Sequence, residues 1–198
     1  MAVPPASGLF EAINDFARST PWLHVPAEAY AKYGIVLLAV LCLVGWWMAR
    51  ERDSRAMAAA LITPGAALIA VGVQQIVVKL VDEGRPYALL PDTLVLITRT
   101  TDPSFPSDHA CVCGAVAAGL FFVDRRLGWI GGIAALIMAF ARVYVGAHWP
   151  LDVVAGLVLG AAIALLLMLL LQQRVAGLVE WMRGNRLHRL VAGVAVSG

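Results

Sequence analysis

Lys79, Arg85, Ser107, Asp108, His109, Arg142, His148 and Asp152 stand at the edges of long apolar runs, where charge beside lipid is costly and needs a chemical reason. A phosphate ester or anhydride would supply that reason. Phosphoryl transfer requires neutralised phosphate oxygens, an in-line nucleophile and an acid for the leaving group. Lys79, Arg85 and Arg142 are the candidate phosphate-binding cations, and each arginine can grip two oxygens at once. Ser107 adds a hydroxyl donor, and the backbone N–H groups of residues 108 and 109 are unpaired if a helix begins there. Asp108 belongs to this phosphate site by position, with a carboxylate that must turn away from the anion toward the helix N-terminus. His148 and Asp152 are four residues apart and share a face of any helix holding both. The Asp152 carboxylate can then hold one imidazole N–H and leave the other nitrogen free to attack phosphorus. His109 has no such partner nearby and is the candidate general acid. No further cluster of carboxylates offers a metal cage, so the expected catalysis is metal-free and uses no cofactor.

Taken singly, these residues are weak signals. Proline-serine-x-histidine is commonly a helix cap, a histidine four residues from an aspartate is often a structural hydrogen bond, and a lysine closing an apolar run often snorkels. Arg142 is different, because it lies inside an apolar run where burial is expensive. The combination, in order along the chain, points to a site.

The elements that must position these residues are membrane helices. The chain is 61% hydrophobic and 14% charged, with mean hydropathy +0.80. So few charges cannot cover a soluble domain of 198 residues, and the chain reads as one integral membrane domain. No basic stripe interleaved with aromatics suggests nucleic-acid binding. Cys42, Cys111 and Cys113 fall in apolar runs and read as small packing residues. No basic segment followed by an apolar core marks a cleavable signal peptide.

Residues 8–18 form an expected amphipathic helix, with Leu9, Phe10, Ile13, Phe16 and Ala17 on one stripe and Glu11, Asn14, Asp15 and Arg18 on the other. It is expected either to lie in the membrane interface or to pack on the rest of the protein. Five apolar runs follow: 33–49, 56–78 with a kink expected at Pro64-Gly65, 110–123, 127–147 and 151–171. The expected fold is all-α, an integral membrane helical bundle of five transmembrane helices plus an N-terminal amphipathic or sixth helix. Its parts are an N-terminal segment 1–29, a helical core 30–172 and a basic cytoplasmic tail 173–198. Residues 80–106 make a polar loop long enough to suspect function. Its Asp82, Glu83, Arg99 and Asp102 read as solvated, and Tyr87 as a further candidate for lining the site.

Alternating five spans places Arg50, Arg52, Arg55, Arg125, Arg126, Arg174, Arg183, Arg186 and Arg189 on one face, nine of the fifteen basic residues. Cytoplasmic loops are enriched in Lys and Arg, so that face is the expected cytoplasmic one. Lys79, His109, Arg142 and His148 then all fall on the extracytoplasmic face of the cell membrane, although they come from four distant segments.

At these residues the chain resembles the type 2 phosphatidic acid phosphatase superfamily. Lys79, Arg85 and Pro86 match its first motif, Pro106, Ser107 and His109 its second, and Arg142, His148 and Asp152 its third. The resemblance covers about residues 30–172 and departs in three places. The spacing from Lys79 to Arg85 is one residue shorter than is common, Asp108 replaces a glycine, and Ala141 replaces a serine that would bond phosphate. The Arg85-Pro86-Tyr87 and Pro106-Ser107-Asp108-His109 forms, with residues 9–14, are similar to the bacitracin-resistance type of undecaprenyl diphosphate phosphatase. The resemblance implies a helical bundle, attack by His148 to form a phosphohistidine, and protonation of the leaving group by His109. The expected substrate is a polyprenyl diphosphate, in recycling of the cell-wall lipid carrier, and the expected partners are that lipid and the bilayer. A glycerolipid phosphate is the second expected substrate class. A lipid-phosphate binder or transporter without hydrolysis is a third reading, which would have no need of two histidines.

Overall fold

The structure is a computed structural model that describes residues 7–185 and 188–192. Helix α1 (Ser7–Ser19) is followed by a single 3₁₀ turn (Pro21–Leu23), α2 (His24–Ala49) and α3 (Ser54–Val81). A short α4 (Pro86–Leu89) lies in the long loop, and α5 (Asp108–Val123), α6 (Arg125–Tyr144), α7 (Pro150–Arg183) and a last short α8 (His188–Val191) complete the chain. No strand occurs among the described residues.

Start and stop signals in the sequence account for the helix ends. Asp53 accepts the Ala56 N–H at 2.8 Å to open α3, and Asp82 ends it in the left-handed conformation at φ 47°. Asp124 closes α5 and opens α6, taking the N–H groups of Arg126 and Leu127 at 2.9 and 3.0 Å. Pro150 occupies the first turn of α7, where its missing N–H costs little. The α3 helix runs on through Pro64 without interruption.

Helices α2, α3, α6 and α7 are long and apolar enough to cross a membrane. They keep many large apolar side chains on the outside, among them Val36, Leu43, Leu68, Ile133, Leu136 and Leu169, as a lipid-facing surface does. The fifth expected span, α5, has 16 residues and is about 24 Å long, less than the roughly 30 Å hydrocarbon core. It packs against α3, α6 and α7 in the middle of the bundle, so its neighbours carry the span around it. Small residues permit this close approach: a Cβ on Gly156 or Gly160 of α7 would collide with the carbonyl oxygens of Ser107 and Cys111. The start of α5 is thereby held against the start of α7. Cys111 and Cys113 are buried in that packing, and Cys42 is half-buried.

Two expectations change. The α7 helix continues to Arg183, past the expected boundary at 172, and Ala176 and Val179 are buried. Val179 packs with Ala49, Met57 and Met168, and Arg183 donates to the Arg52 carbonyl at 2.7 Å, so this segment is docked rather than solvated. Arg186 and the side chain of Arg189 lie outside the described residues. In α1, Phe10, Asn14 and Ala17 face inward while Leu9 and Phe16 remain exposed. Asn14 therefore leaves the expected polar stripe. It donates to the Leu94 carbonyl at 2.9 Å and accepts the Leu94 N–H at 3.0 Å, which anchors the long loop. Phe10 meets Trp149 with ring centroids 5.0 Å apart, so α1 packs on the protein beside the turn that carries His148.

Candidate active site

Residues 82–107 fold over the end of the bundle where α3 and α6 finish and α5 and α7 begin. The Ser107 N–H donates to the Asp152 carbonyl at 3.0 Å, the Leu96 N–H to Val145 at 3.1 Å, and Gln74 of α3 to the Pro106 carbonyl at 2.8 Å. These bonds tie four chain segments into one layer. The 145–149 turn needs Gly146 at φ 78°, because a Cβ there would also press on the Leu94 carbonyl.

His148 lies at the base of that layer and is 1% exposed. Its Nδ1 is 2.9 Å from the Ser104 carbonyl oxygen and 3.4 Å from Oδ2 of Asp152. The carbonyl can only accept, so Nδ1 carries the proton and Nε2 the lone pair. Nε2 faces Nη2 of Arg142 at 3.1 Å. Burial pushes the His148 imidazole below its ordinary value; Asp152 opposes this, and the charges of Arg142 and Arg85 add to it. The ring is therefore a neutral base with a lone pair directed at the guanidinium.

The expected bond from His148 to Asp152 is thus replaced in part by one from His148 to Ser104. Asp152 Oδ2 accepts the Trp149 N–H at 2.9 Å and the Ser104 hydroxyl, which leaves the carboxylate as a charge beside the ring rather than its nearest acceptor. Ser104 is fully buried, and sequence reading passed over it. Its only signal is that it precedes Pro106-Ser107 in a loop otherwise read as solvated.

Arg85 is also buried and braces the site. Its Nε donates to the Asp102 carbonyl at 2.9 Å, Nη1 to Ala147 at 3.0 Å and Nη2 to the Asp102 carboxylate at 2.6 Å. Asp102 is exposed, as a solvated loop residue is expected to be, but it is also the ion-pair partner of Arg85. Burial works to raise its carboxyl, but hydrogen bonds from Thr100 and Arg85 and the guanidinium charge outweigh burial and hold it below its ordinary value. Tyr87 orders the same loop, with its hydroxyl 2.9 Å from the Thr100 N–H, and does not line the cavity described next.

A cavity of about 310 Å³ opens over this layer, lined by Glu28, Lys32, Arg85, Ile97, Thr98, Thr100, Asp102, Asp108, His109 and Arg142. Its positive groups are Lys32, Arg85 and Arg142, with His109 at the start of α5. His148 sits behind Arg142. The expectation that His109 lacks a partner is corrected: its Nδ1 is 2.8 Å from Oδ1 of Asp108. The same oxygen accepts the His109 backbone N–H at 2.7 Å, so that N–H is not free for a phosphate; Asp108 thus turns to the helix N-terminus as expected, while its side chain still lines the cavity. Ser107 is the cap: its buried Oγ lies 3.5 Å from the Ala110 N–H and does not line the cavity.

Lys79 is in the last turn of α3, exposed, and not among the cavity-lining residues. Gln74 marks the inward face of α3, and five residues further on the helix has turned by about 140° from it. The cation that lines the cavity from outside the three motifs is Lys32 of α2. The structure therefore brings together Arg85, Asp108, His109, Arg142, His148 and Asp152, with Ser107 beneath them and Lys79 outside.

A sequence profile described as the PAP2 superfamily matches residues 59–176. The chain is 32% identical over 156 residues to the bacitracin transport permease protein BcrC of Bacillus licheniformis, across 79% of this chain and 75% of that one. It is 29% identical over 158 residues to the undecaprenyl-diphosphatase BcrC of Bacillus subtilis (strain 168), across 80% of each chain. The crystal structure of Aquifex aeolicus LpxE shares the fold, with a TM-score of 0.61 at 23% identity over 80% of this chain and 92% of that one. With its apolar helices and the three motifs gathered at one end of the bundle, this chain belongs to the PAP2 superfamily and is a multi-pass membrane phosphatase of that family.

Proposed function

We propose that this chain hydrolyses a polyprenyl diphosphate, undecaprenyl diphosphate being the foremost candidate, to the monophosphate and inorganic phosphate. The observation that carries the reading is the neutral, buried His148, with Nδ1 held and Nε2 against the guanidinium of Arg142, which itself lines a cavity that His109 also lines. A pure binder would use the cations but would have no need of an imidazole fixed in a nucleophilic tautomer. The relative named an undecaprenyl-diphosphatase supports the substrate class.

In this reading Arg142 and Arg85 neutralise the phosphate oxygens, and Arg142 exchanges its contact with Nε2 for one with the substrate. His148 Nε2 attacks phosphorus, the bond to the bridging oxygen breaks, and His109 protonates the departing lipid phosphate. Water then attacks the phosphohistidine, and His109 accepts its proton. Asp152 stabilises the positive ring that forms on phosphorylation. Lys79 is placed as an outer cation that meets the headgroup at the rim. No step needs a metal. The prenyl tail stays in the bilayer, and the site opens on the extracytoplasmic face, a reading supported by the arginines Arg50, Arg52, Arg55, Arg125, Arg126 and Arg183 at the other end of the helices.

The test is phosphate release by purified, vesicle-reconstituted protein from undecaprenyl diphosphate, phosphatidate and phosphatidylglycerophosphate, with a chelator present. The expected outcome is preference for the diphosphate and complete loss in His148→Ala. Preference for a glycerolipid phosphate would replace the substrate. Activity abolished by the chelator, or untouched in His148→Ala, would end the mechanism. Lipid movement across the vesicle without phosphate release would favour a transporter.

A further inference from the structure

Asp108 stands where the family pattern has glycine, and nothing in the scheme above requires a carboxylate beside an anion site. Its Oδ1 lies 2.8 Å from Nδ1 of His109 and also accepts the backbone N–H of His109 at 2.7 Å. The second bond tethers the carboxylate to the residue whose ring it addresses. An ionised carboxylate only accepts, so Nδ1 is the donor and Nε2 is left as the nitrogen that can meet a substrate. Both side chains reach the cavity, His109 being 20% exposed and Asp108 46%. His148 is held in a similar way by a different acceptor: Nδ1 is fixed by the Ser104 carbonyl, which leaves Nε2 as the lone-pair nitrogen against Arg142.

We infer that Asp108 is a positioning residue for the general acid, fixing Nδ1–H of His109 so that the proton exchanged with substrate is always the one on Nε2. The inference rests on the phosphatase reading and goes beyond it. In the first half-reaction the N–P bond to His148 forms, the bond from that phosphorus to the leaving-group oxygen (the bridging oxygen of a diphosphate) breaks, and the Nε2 proton of His109 passes to that oxygen. In the second half water attacks phosphorus, its proton returns to Nε2 of His109, and the N–P bond breaks to release inorganic phosphate. Asp108 carries no proton in either half. A glycine at this position would leave Nδ1 to water and the ring free to turn. The carboxylate's charge is directed at Nδ1, which explains how it is tolerated beside a phosphate.

The experiment compares Asp108→Asn and Asp108→Gly with His109→Ala in the full-length, detergent-solubilised protein. Two substrates are used: dodecyl phosphate, whose alkoxide must be protonated to leave, and p-nitrophenyl phosphate, whose phenolate leaves without a proton. Asp108→Gly is expected to lose about 10²-fold in the rate of phosphohistidine formation, read by rapid quench, on dodecyl phosphate, the scale of general-acid assistance, and less than about threefold on p-nitrophenyl phosphate, whereas Asp108→Asn, whose amide oxygen still accepts the Nδ1 proton, is expected to lose less. His109→Ala is expected to show the same split. If His109→Ala shows no split, His109 is not the acid and the wider mechanism fails; if it does and Asp108→Gly does not, only the role of Asp108 falls. Nitrogen-15 NMR of histidine-labelled protein gives a readout independent of turnover, with His109 assigned by its absence in His109→Ala. A proton on Nδ1 of His109 that is lost or exchanges rapidly in Asp108→Gly, and is retained in Asp108→Asn, is expected. An unprotonated Nδ1 in the parent protein overturns the inference.

Discussion

Asp152→Asn separates the charge of the carboxylate from its hydrogen bonds. An asparagine oxygen in place of Oδ2 can still accept the Trp149 N–H and the Ser104 hydroxyl, so the turn into α7 is preserved. The Nδ1 proton of His148 also stays on the Ser104 carbonyl at 2.9 Å. What disappears is a negative charge 3.4 Å from Nδ1, beside a ring that, in the proposed mechanism, becomes positive when Nε2 is phosphorylated. At an effective dielectric constant of about 20, two unit charges at that distance interact by about 5 kcal/mol. The carboxylate already shares its charge with two donors and the ring spreads its own, so about half of that is expected in the barrier. Half corresponds to roughly a 10²-fold fall in kcat. Rapid-quench measurement of phosphohistidine formation is the direct assay, with KM for the polyprenyl diphosphate expected to change little. Ser104→Ala is the comparison: it removes the hydroxyl but keeps the carbonyl and the charge, and is expected to cost less than about tenfold. If Asp152→Asn stays within about threefold of the parent while Ser104→Ala abolishes turnover, the carboxylate does not act through its charge.

Arg142→Lys keeps a cation but loses the planar fork that spans His148 Nε2 and the Ala31 carbonyl, and kcat is expected to fall by about 10²–10³, measured as phosphate release at saturating lipid. Lys79→Ala is expected to raise KM by less than about tenfold and leave kcat unchanged, because Lys79 does not line the cavity; a kcat loss equal to that of Arg142→Lys would place it inside the site. In the proposed mechanism His148 must be neutral to attack, and burial holds it below its ordinary value of 6.5, so the acid limb of kcat/KM is expected below pH 6.5. The same shift has a stability counterpart. Below about pH 6.5 the unfolded chain binds a proton that folded His148 refuses, so His148 is expected to lower thermal stability as pH falls there, and His148→Asn should flatten that dependence.

Apolar run length and charge placement were enough to read the membrane helices, because lipid allows a spanning backbone few alternatives to a helix. Boundaries were less legible. The run ending at 171 continues as helix to Arg183, where Ala176 is buried and Val179 packs with Met57 and Met168, contacts that no hydropathy window contains. The amphipathic reading of α1 misplaced Asn14, since the loop it faces at Leu94 is 80 residues away in sequence.

The site divides in the same way. Residue type and spacing nominated Lys79, Arg85, Ser107, Asp108, His109, Arg142, His148 and Asp152, because phosphoryl chemistry has few substitutes for paired imidazoles and guanidinium groups, and the folded chain brings all but Lys79 together at one end of the bundle. Only the folded chain decided how they are wired. Ser104 and not Asp152 is the nearest acceptor of the His148 Nδ1 proton, Asp102 pairs with Arg85, Asp108 pairs with His109, and Lys32 rather than Lys79 lines the cavity. Each of these, apart from the Asp108–His109 neighbours, is a contact between distant segments, set by where α3 turns its faces and where the 82–107 loop lands. Such a contact depends on distances of a few tenths of an ångström between groups that no local spacing rule relates.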